Sequence, residues 1–253
     1  MTSKTIILTG ATRGIGLAIA NFLLKGSEKH NLVVLGRNEE ALRELEARAP
    51  SQVKPLAGDF SNLSLGQAAV DLALSTFGRI DGLIINHGTL GEVNRIIDCD
   101  LVNFRKTFDI NFISAVALVK AAIPELRKSR GRIVLTSSGA AVNAYSSWLS
   151  YGSSKASTNH LAMTLKSEEP DIVALAIRPG TVDTEMQTSL RNEFANFMDP
   201  EDRAKFANLK RDGKLLRPDQ PGNVMARLVL NAPTKLSGQF LSWNDASLKD
   251  FQD

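Results

Sequence analysis

The sequence predicts a doubly wound α/β fold, one parallel sheet covered by helices on both faces. Three observations carry that reading. Short β-rich runs alternate with longer helical patterns along the chain. The strand runs are continuously apolar, as strands buried on both sides should be. A glycine-rich turn joins the first strand directly to the first helix. The 253 residues, 43% hydrophobic and 23% charged, suffice for one large core, and no linker divides them, so residues 1–253 read as a single domain.

The elements follow in order. Thr5–Thr9 is a strand with Ile6-Ile7-Leu8 at its centre, and a helix over Ile15–Lys25 follows the glycine turn. Asn31–Leu35 repeats the strand signal in Leu32-Val33-Val34-Leu35, and Glu39–Arg48 the helical one. Val53–Ala57 is a weaker strand, with Ser64–Phe77 as the next helix. Then come a strand over Gly82–Asn86, one long helix over Leu101–Lys128, and a strand over Arg132–Ser137 built on Ile133-Val134-Leu135. Tyr151–Lys166 is helical and Ile172–Arg178 is the sixth strand. From Asp183 to Pro218 the rhythm breaks into a polar, helix-prone insertion carrying Met186, Phe194, Phe197, Met198 and Phe206. Two extra surface helices would give that pattern. The alternative, a cover over the substrate, is preferred because ligands in such sheets bind beyond the carboxyl ends of the strands. Pro221–Leu230 reads as a helix with proline near its start, and Gly238–Trp243 as the last strand.

Composition removes several classes of function. A formal charge of +3, with Lys and Arg scattered along the chain, argues against nucleic-acid binding. The run Thr5 to Thr9 after Met1-Thr2-Ser3-Lys4 is too short for a signal core or membrane span, so neither targeting nor membrane insertion is expected. The single cysteine, Cys99, excludes an internal disulfide and fits a cytoplasmic protein. No metal site is expected.

Two stretches carry chemistry. Thr9-Gly10-Ala11-Thr12-Arg13-Gly14-Ile15-Gly16 places glycines where backbone N–H groups and a helix dipole can hold a pyrophosphate. Its spacing, Gly-x-x-x-Gly-x-Gly, departs from the Gly-x-Gly-x-x-Gly dinucleotide fingerprint. The second strand ends in Leu35-Gly36-Arg37-Asn38, without the carboxylate that would hold the ribose 2′-hydroxyl of NAD. Arg37 and Arg13 instead offer forked cations suited to a 2′-phosphate, which points to NADP(H); the alternative for Arg37 is a solvated residue at a helix start. Asp59, after the third strand, is the candidate for the adenine amine or, equally, a helix cap. In Tyr151-Gly152-Ser153-Ser154-Lys155 a phenol and an ammonium stand one helical turn apart, and the nearby charge is expected to favour the phenolate. Such a pair suits general acid/base catalysis.

These pieces, in this order, resemble the short-chain dehydrogenase/reductase family over nearly the whole chain. Ile85-Asn86-His87-Gly88 stands where the family has Asn-Asn-Ala-Gly, Asn111 lies in the long central helix, and Ser138 precedes Tyr151 by thirteen positions (151 − 138). Pro179-Gly180 follows the sixth strand, with Val182 and Thr184 just beyond. Tyr145-Ser146-Ser147-Trp148 and Asn159-His160-Leu161-Ala162-Met163-Thr164-Leu165 are most similar to the fungal benzil reductase and sepiapterin reductase-like group. The resemblance implies a Rossmann-type fold and a reductase. Tyr151 would donate a proton, Ser138 would hold the substrate oxygen, and Lys155 would lower the Tyr151 pKa and hold the nicotinamide ribose. Asn111 would keep the main chain open for a proton-relay water. Gly10, Thr12, Arg13, Gly14, Ile15, Gly16, Asn86, Gly88, Pro179, Gly180, Val182 and Thr184 would line the cofactor, together with Arg37 and Asp59.

The leading expectation is an NADPH-dependent carbonyl reductase acting on an apolar or aromatic ketone or diketone, assembled as a homodimer or homotetramer. Two alternatives stand beside it: an NAD(P)+-dependent dehydrogenase working oxidatively, and a non-catalytic NADP(H)-sensing regulator. His87 departs from the family pattern and reads as a packing residue, as do His30 and His160. The Ser137-Ser138 doublet leaves a choice of serine, resolved in favour of Ser138 by spacing.

Overall fold

A computed structural model of the chain describes residues 3–26 and 28–253. Met1 and Thr2, part of the stretch read as lacking a targeting signal, lie outside the described residues, as does Ser27. The strands are β1 (Thr5–Thr9), β2 (Asn31–Gly36), β3 (Val53–Ala57), β4 (Gly82–Ile85), β5 (Arg132–Thr136), β6 (Val173–Arg178) and β7 (Phe240–Ser242). They form one sheet in the order β3-β2-β1-β4-β5-β6-β7, every pairing parallel. The apolar runs explain the two-sided core, because successive side chains point to opposite faces. Ile6, Leu8, Leu32, Val34, Ile84 and Val134 face one layer; Ile7, Val33, Leu35, Leu83, Ile133 and Leu135 face the other. Each such buried aliphatic chain contributes roughly 1.5–3 kcal/mol. Pro55 is tolerated in β3 because β3 is an edge strand.

The first layer is covered by α1 (Gly14–Lys25), α2 (Glu39–Arg48) and a helix over Asp219–Asn231; the second by α3 (Ser64–Phe77) and the central helical segment. That central segment corrects one expectation. The run read as one helix is α4 (Leu101–Phe108), a π turn over Asp109–Ile113, and α5 (Ser114–Ser129). By length and mean hydropathy it would be apolar enough to cross a membrane. Here Leu118, Val119, Ala122 and Leu126 are buried with α3 against the sheet.

After β5 comes α6 (Leu149–Glu168), and the predicted insertion after β6 contains two helices, α7 (Glu185–Asn192) and α8 (Pro200–Arg211). The helix over Asp219–Asn231 is α9. Hydrogen bonds from Asp183 N to Leu216 O (2.8 Å) and from Leu216 N to Thr181 O (2.9 Å) stitch the two ends of the insertion together. Strand order reverses between β1 and β4, so a crevice opens beyond their carboxyl ends.

Candidate active site

The crevice begins at the glycine turn. Gly10 and Gly14 have φ of 67° and 52°, in the left-handed region that glycine tolerates. A Cβ on Gly16 would lie 2.0 Å from the Gly10 carbonyl oxygen. Only a bare backbone can make this turn. Asn86 braces it, donating to Gly10 O (3.2 Å) and accepting from Thr136 Oγ1 (3.2 Å). No side chain caps α1 at Arg13, so the N–H groups of its first turn face an uncapped end suited to an anion.

At the ends of β2 and β3, Arg37 and Asp59 line the same cleft. Asp59 accepts both the backbone N–H and the hydroxyl of Ser61 at 2.8 Å, and these bonds, then the charges of Arg37 and Lys106, hold its carboxyl below the usual range. These bonds close a local turn at Ser61; Asp59 does not cap α3, which begins at Ser64 without a side-chain cap. Arg13 also differs from expectation: its guanidinium pairs with Glu185 of α7, across the cleft. Asn103, Lys106 and Thr107 of α4 line the cleft as well. They were not foreseen, although their i, i+3, i+4 spacing puts them on one helix face.

At the other end, α6 buries Tyr151, Ser154 and Lys155 on one face. This face is polar, so its burial leaves little apolar periodicity in the sequence. Ser138, whose Oγ accepts from Ala140 N at 3.1 Å, lines the cleft beside Tyr151 and draws its phenol pKa down. Ser137, the other member of the doublet, instead donates to Asn159 Oδ1 at 2.6 Å. Lys155 Nζ lies 5.9 Å from the Tyr151 ring centroid and donates to Thr136 O at 2.7 Å. Burial lowers the Lys155 pKa to about 8.

The Tyr151 expectation needs correction. Burial raises its pKa, and Ser138 opposes that only in part. Desolvation dominates because Tyr151 is only 7% exposed.

Asn111 sits in the π turn, buried, with Oδ1 accepting from Thr89 N (2.8 Å) and Nδ2 donating to Thr89 O (2.9 Å) and Ser154 Oγ (3.0 Å). Its side chain therefore joins the turn to α6. Gly88 separates Asn111 from Lys155: a Cβ there would be 3.4 Å from both Asn111 Oδ1 and Lys155 Nζ. His87 and His30 are buried and hydrogen-bonded, whereas His160 is exposed on α6 and does not pack inside as expected.

Above Tyr151 the insertion closes an apolar cluster of Leu90, Trp148, Leu190, Met198 and Phe206, with Tyr145 and Met186 packed on it. Trp148 stacks on Phe206 (5.6 Å between centroids) and meets Tyr151 edge-on (5.9 Å). Met186 and Phe206 line the cleft, Met198 lies within the cluster, and Phe197 is half exposed.

One cleft of about 1210 Å³ joins the two ends. Gly10, Thr12, Arg13, Gly14, Ile15, Arg37, Asp59, Asn86, Gly88, Ser138, Tyr151, Lys155, Pro179, Gly180, Val182 and Thr184 all line it; of the predicted site residues only Gly16 and Asn111 stand behind its wall. The cradle of bare glycines, the uncapped α1 terminus and the elongated volume fit a nicotinamide dinucleotide. A sequence profile described as short chain dehydrogenase matches residues 4–194. The chain belongs to the short-chain dehydrogenase family. Among its relatives in this family is the benzil reductase ((S)-benzoin forming) of Saccharomyces cerevisiae, 36% identical, with 98% of this chain and 99% of the relative covered. Sepiapterin reductase of Bos taurus is 31% identical over 83% of each chain. A short-chain dehydrogenase/reductase crystal structure from Saccharomyces cerevisiae superposes with a TM-score of 0.97 at 38% identity, covering 99% of this chain and 100% of that one. The likeness to the benzil and sepiapterin reductase group, read from two short motifs, therefore extends over most of the chain, and the protein is an oxidoreductase of this family.

Proposed function

We propose that this short-chain dehydrogenase is an NADPH-dependent carbonyl reductase that converts an apolar or aromatic ketone or diketone into a secondary alcohol. The observation that carries the reading is the buried Tyr151 phenol, lining with Ser138 and Lys155 the apolar end of a cleft whose other end presents Arg37. A phenol placed at the substrate end can give its proton to a carbonyl oxygen, the proton transfer that a reduction needs.

The dinucleotide would be held by the glycine turn from Gly10 to Gly16, by Asn86, Gly88, Lys155, and by Pro179, Gly180, Val182 and Thr184, with Arg37 at the 2′-phosphate. Bound in reduced form, it supplies the hydride. Ser138 then orients the substrate oxygen by a hydrogen bond, and Tyr151 gives that oxygen its phenolic proton. The adjacent Lys155 ammonium stabilises the resulting phenolate, and the proton is restored from solvent past Lys155 and Asn111. In this reading Arg13 exchanges Glu185 for the cofactor anion, and the 183–218 insertion covers the substrate.

Exposed Leu101, Val102 and Met163 give α4 and α6 a face suited to a second copy, which supports a homodimer or homotetramer. The lone Cys99 is free, in keeping with a cytoplasmic setting. The test is reduction of a carbonyl panel including benzil with NADPH and NADH at equal concentration. Turnover with a clear NADPH preference is expected; turnover only with NADH would contradict the role given to Arg37.

A further inference from the structure

His87 follows β4 in the turn that lines the cleft, yet its ring faces away from the reacting groups and is buried. It stacks flat on Phe60, 3.8 Å between centroids and 4° between planes. Its two nitrogens reach opposite sides of the molecule: Nδ1 lies 2.7 Å from Thr9 Oγ1 at the end of β1, and Nε2 lies 2.9 Å from Ile110 O and 2.8 Å from Ser114 Oγ. A carbonyl can only accept, so Nε2 carries the proton and Nδ1 accepts from the Thr9 hydroxyl. Burial, then the charge of Lys155, lowers the imidazole pKa to about 3, so the ring stays neutral.

Ile110 belongs to the π turn, where Ser114 N bonds back five residues to Asp109 O. Such a turn holds one residue more than an α-helical turn and persists where tertiary contacts favour it. Its Ile110 carbonyl is tied by the His87 N–H and the Ser114 hydroxyl, and its Asn111 amide by Thr89 and Ser154. Ser154 donates in turn to Tyr151 O at 2.8 Å. One imidazole thus links the root of the phosphate turn to the segment that holds Asn111 against α6.

We propose that His87 is a positioning residue that pins the π turn at Ile110 to the end of β1 and so fixes Asn111 beside Lys155. Its catalytic consequence rests on the reductase reading above. Without the ring, the turn keeps only the Ser114 hydroxyl at Ile110. Relaxation to α-helical register would then rotate Asn111 by about 100° about the helix axis.

The test compares His87→Ala, His87→Asn and His87→Gln. Asn is too short to reach Ile110 while bonded at Thr9, whereas the longer Gln amide can donate to that carbonyl. Ala and Asn are expected to lower kcat about tenfold with KM for the carbonyl and NADPH affinity by fluorescence within about twofold, and Gln to recover most of the loss. Amide hydrogen exchange over 109–114, measured without cofactor, should be faster in the Ala and Asn variants and near wild type in Gln. If the wild-type protein reduces no carbonyl, the reductase reading fails while the exchange data still decide the clamp. Exchange in that segment unchanged by His87→Asn, or kcat unchanged while melting temperature alone falls, would overturn the proposal. Should the Ala variant not fold, the Asn and Gln pair decides.

Discussion

The two walls of the cleft are built differently. Below the substrate end, half-buried Ser138 follows β5, while Tyr151, Lys155 and Asn111 stand buried on α6 and the π turn, cross-linked by bonds of 2.7–3.0 Å such as Lys155 to Thr136 and Asn111 to Ser154. Above it, the 183–218 insertion is fastened by exposed ion pairs, Arg95 to Asp199 at 2.5 Å and Arg13 to Glu185, and holds one of its own, Lys210 to Asp183 at 2.8 Å. It adds Ser147 Oγ donating to Phe197 O and the stacking of Phe206 on Trp148. Exposed pairs are weakened by salt and contribute little each. Under the proposed function, the contrast gives bond-making chemistry to the rigid wall and substrate selection to the loosely fastened one.

Substitutions on the two walls should therefore separate kcat from KM. Ser138→Ala removes the group proposed to hold the substrate oxygen, and kcat is expected to fall roughly 10²–10³-fold with folding intact, as measured by steady-state reduction alongside melting temperature. Phe206→Ala removes the ring beneath the cover, and KM for an aromatic ketone is expected to rise about tenfold with kcat little changed. Equal losses of kcat in both variants would erase the distinction between the walls.

A smaller effect probes the burial of the rigid wall. Lys155 is lowered in the folded protein from 10.5 to about 8, so its charged form costs stability below pH 8, and that cost is relieved as pH rises toward 10.5. Lys155→Met should melt higher than wild type near pH 7 by an amount that shrinks as pH rises through about 8. A difference in melting temperature that is flat over that range would show that Lys155 is hydrated in solution.

The same contrast explains what could be read from the chain. Ile6-Ile7-Leu8 and Leu32–Leu35 declare strands buried on both faces, so sheet and crevice were legible. Ser138, Tyr151 and Lys155 were legible because sequence order and one helical turn fix their meeting. The break at Asp109–Ile113 was not, since these residues keep helical apolar spacing and the turn is set by the tertiary bonds of Asn111 and His87. The Tyr151 shift was misjudged because four-residue spacing reports the Lys155 charge and says nothing of desolvation. The pairing of Arg13 with Glu185 was not legible because the two are 172 positions apart (185 − 13).

Tyr151→Phe tests the central claim most directly, since it removes one oxygen from the rigid wall and leaves the glycine turn, Arg37 and the cover intact. The account predicts unchanged NADPH affinity by fluorescence titration and a loss of carbonyl turnover of at least about 10²-fold. Turnover equal to wild type, with NADPH still bound, would contradict Tyr151 as the proton donor.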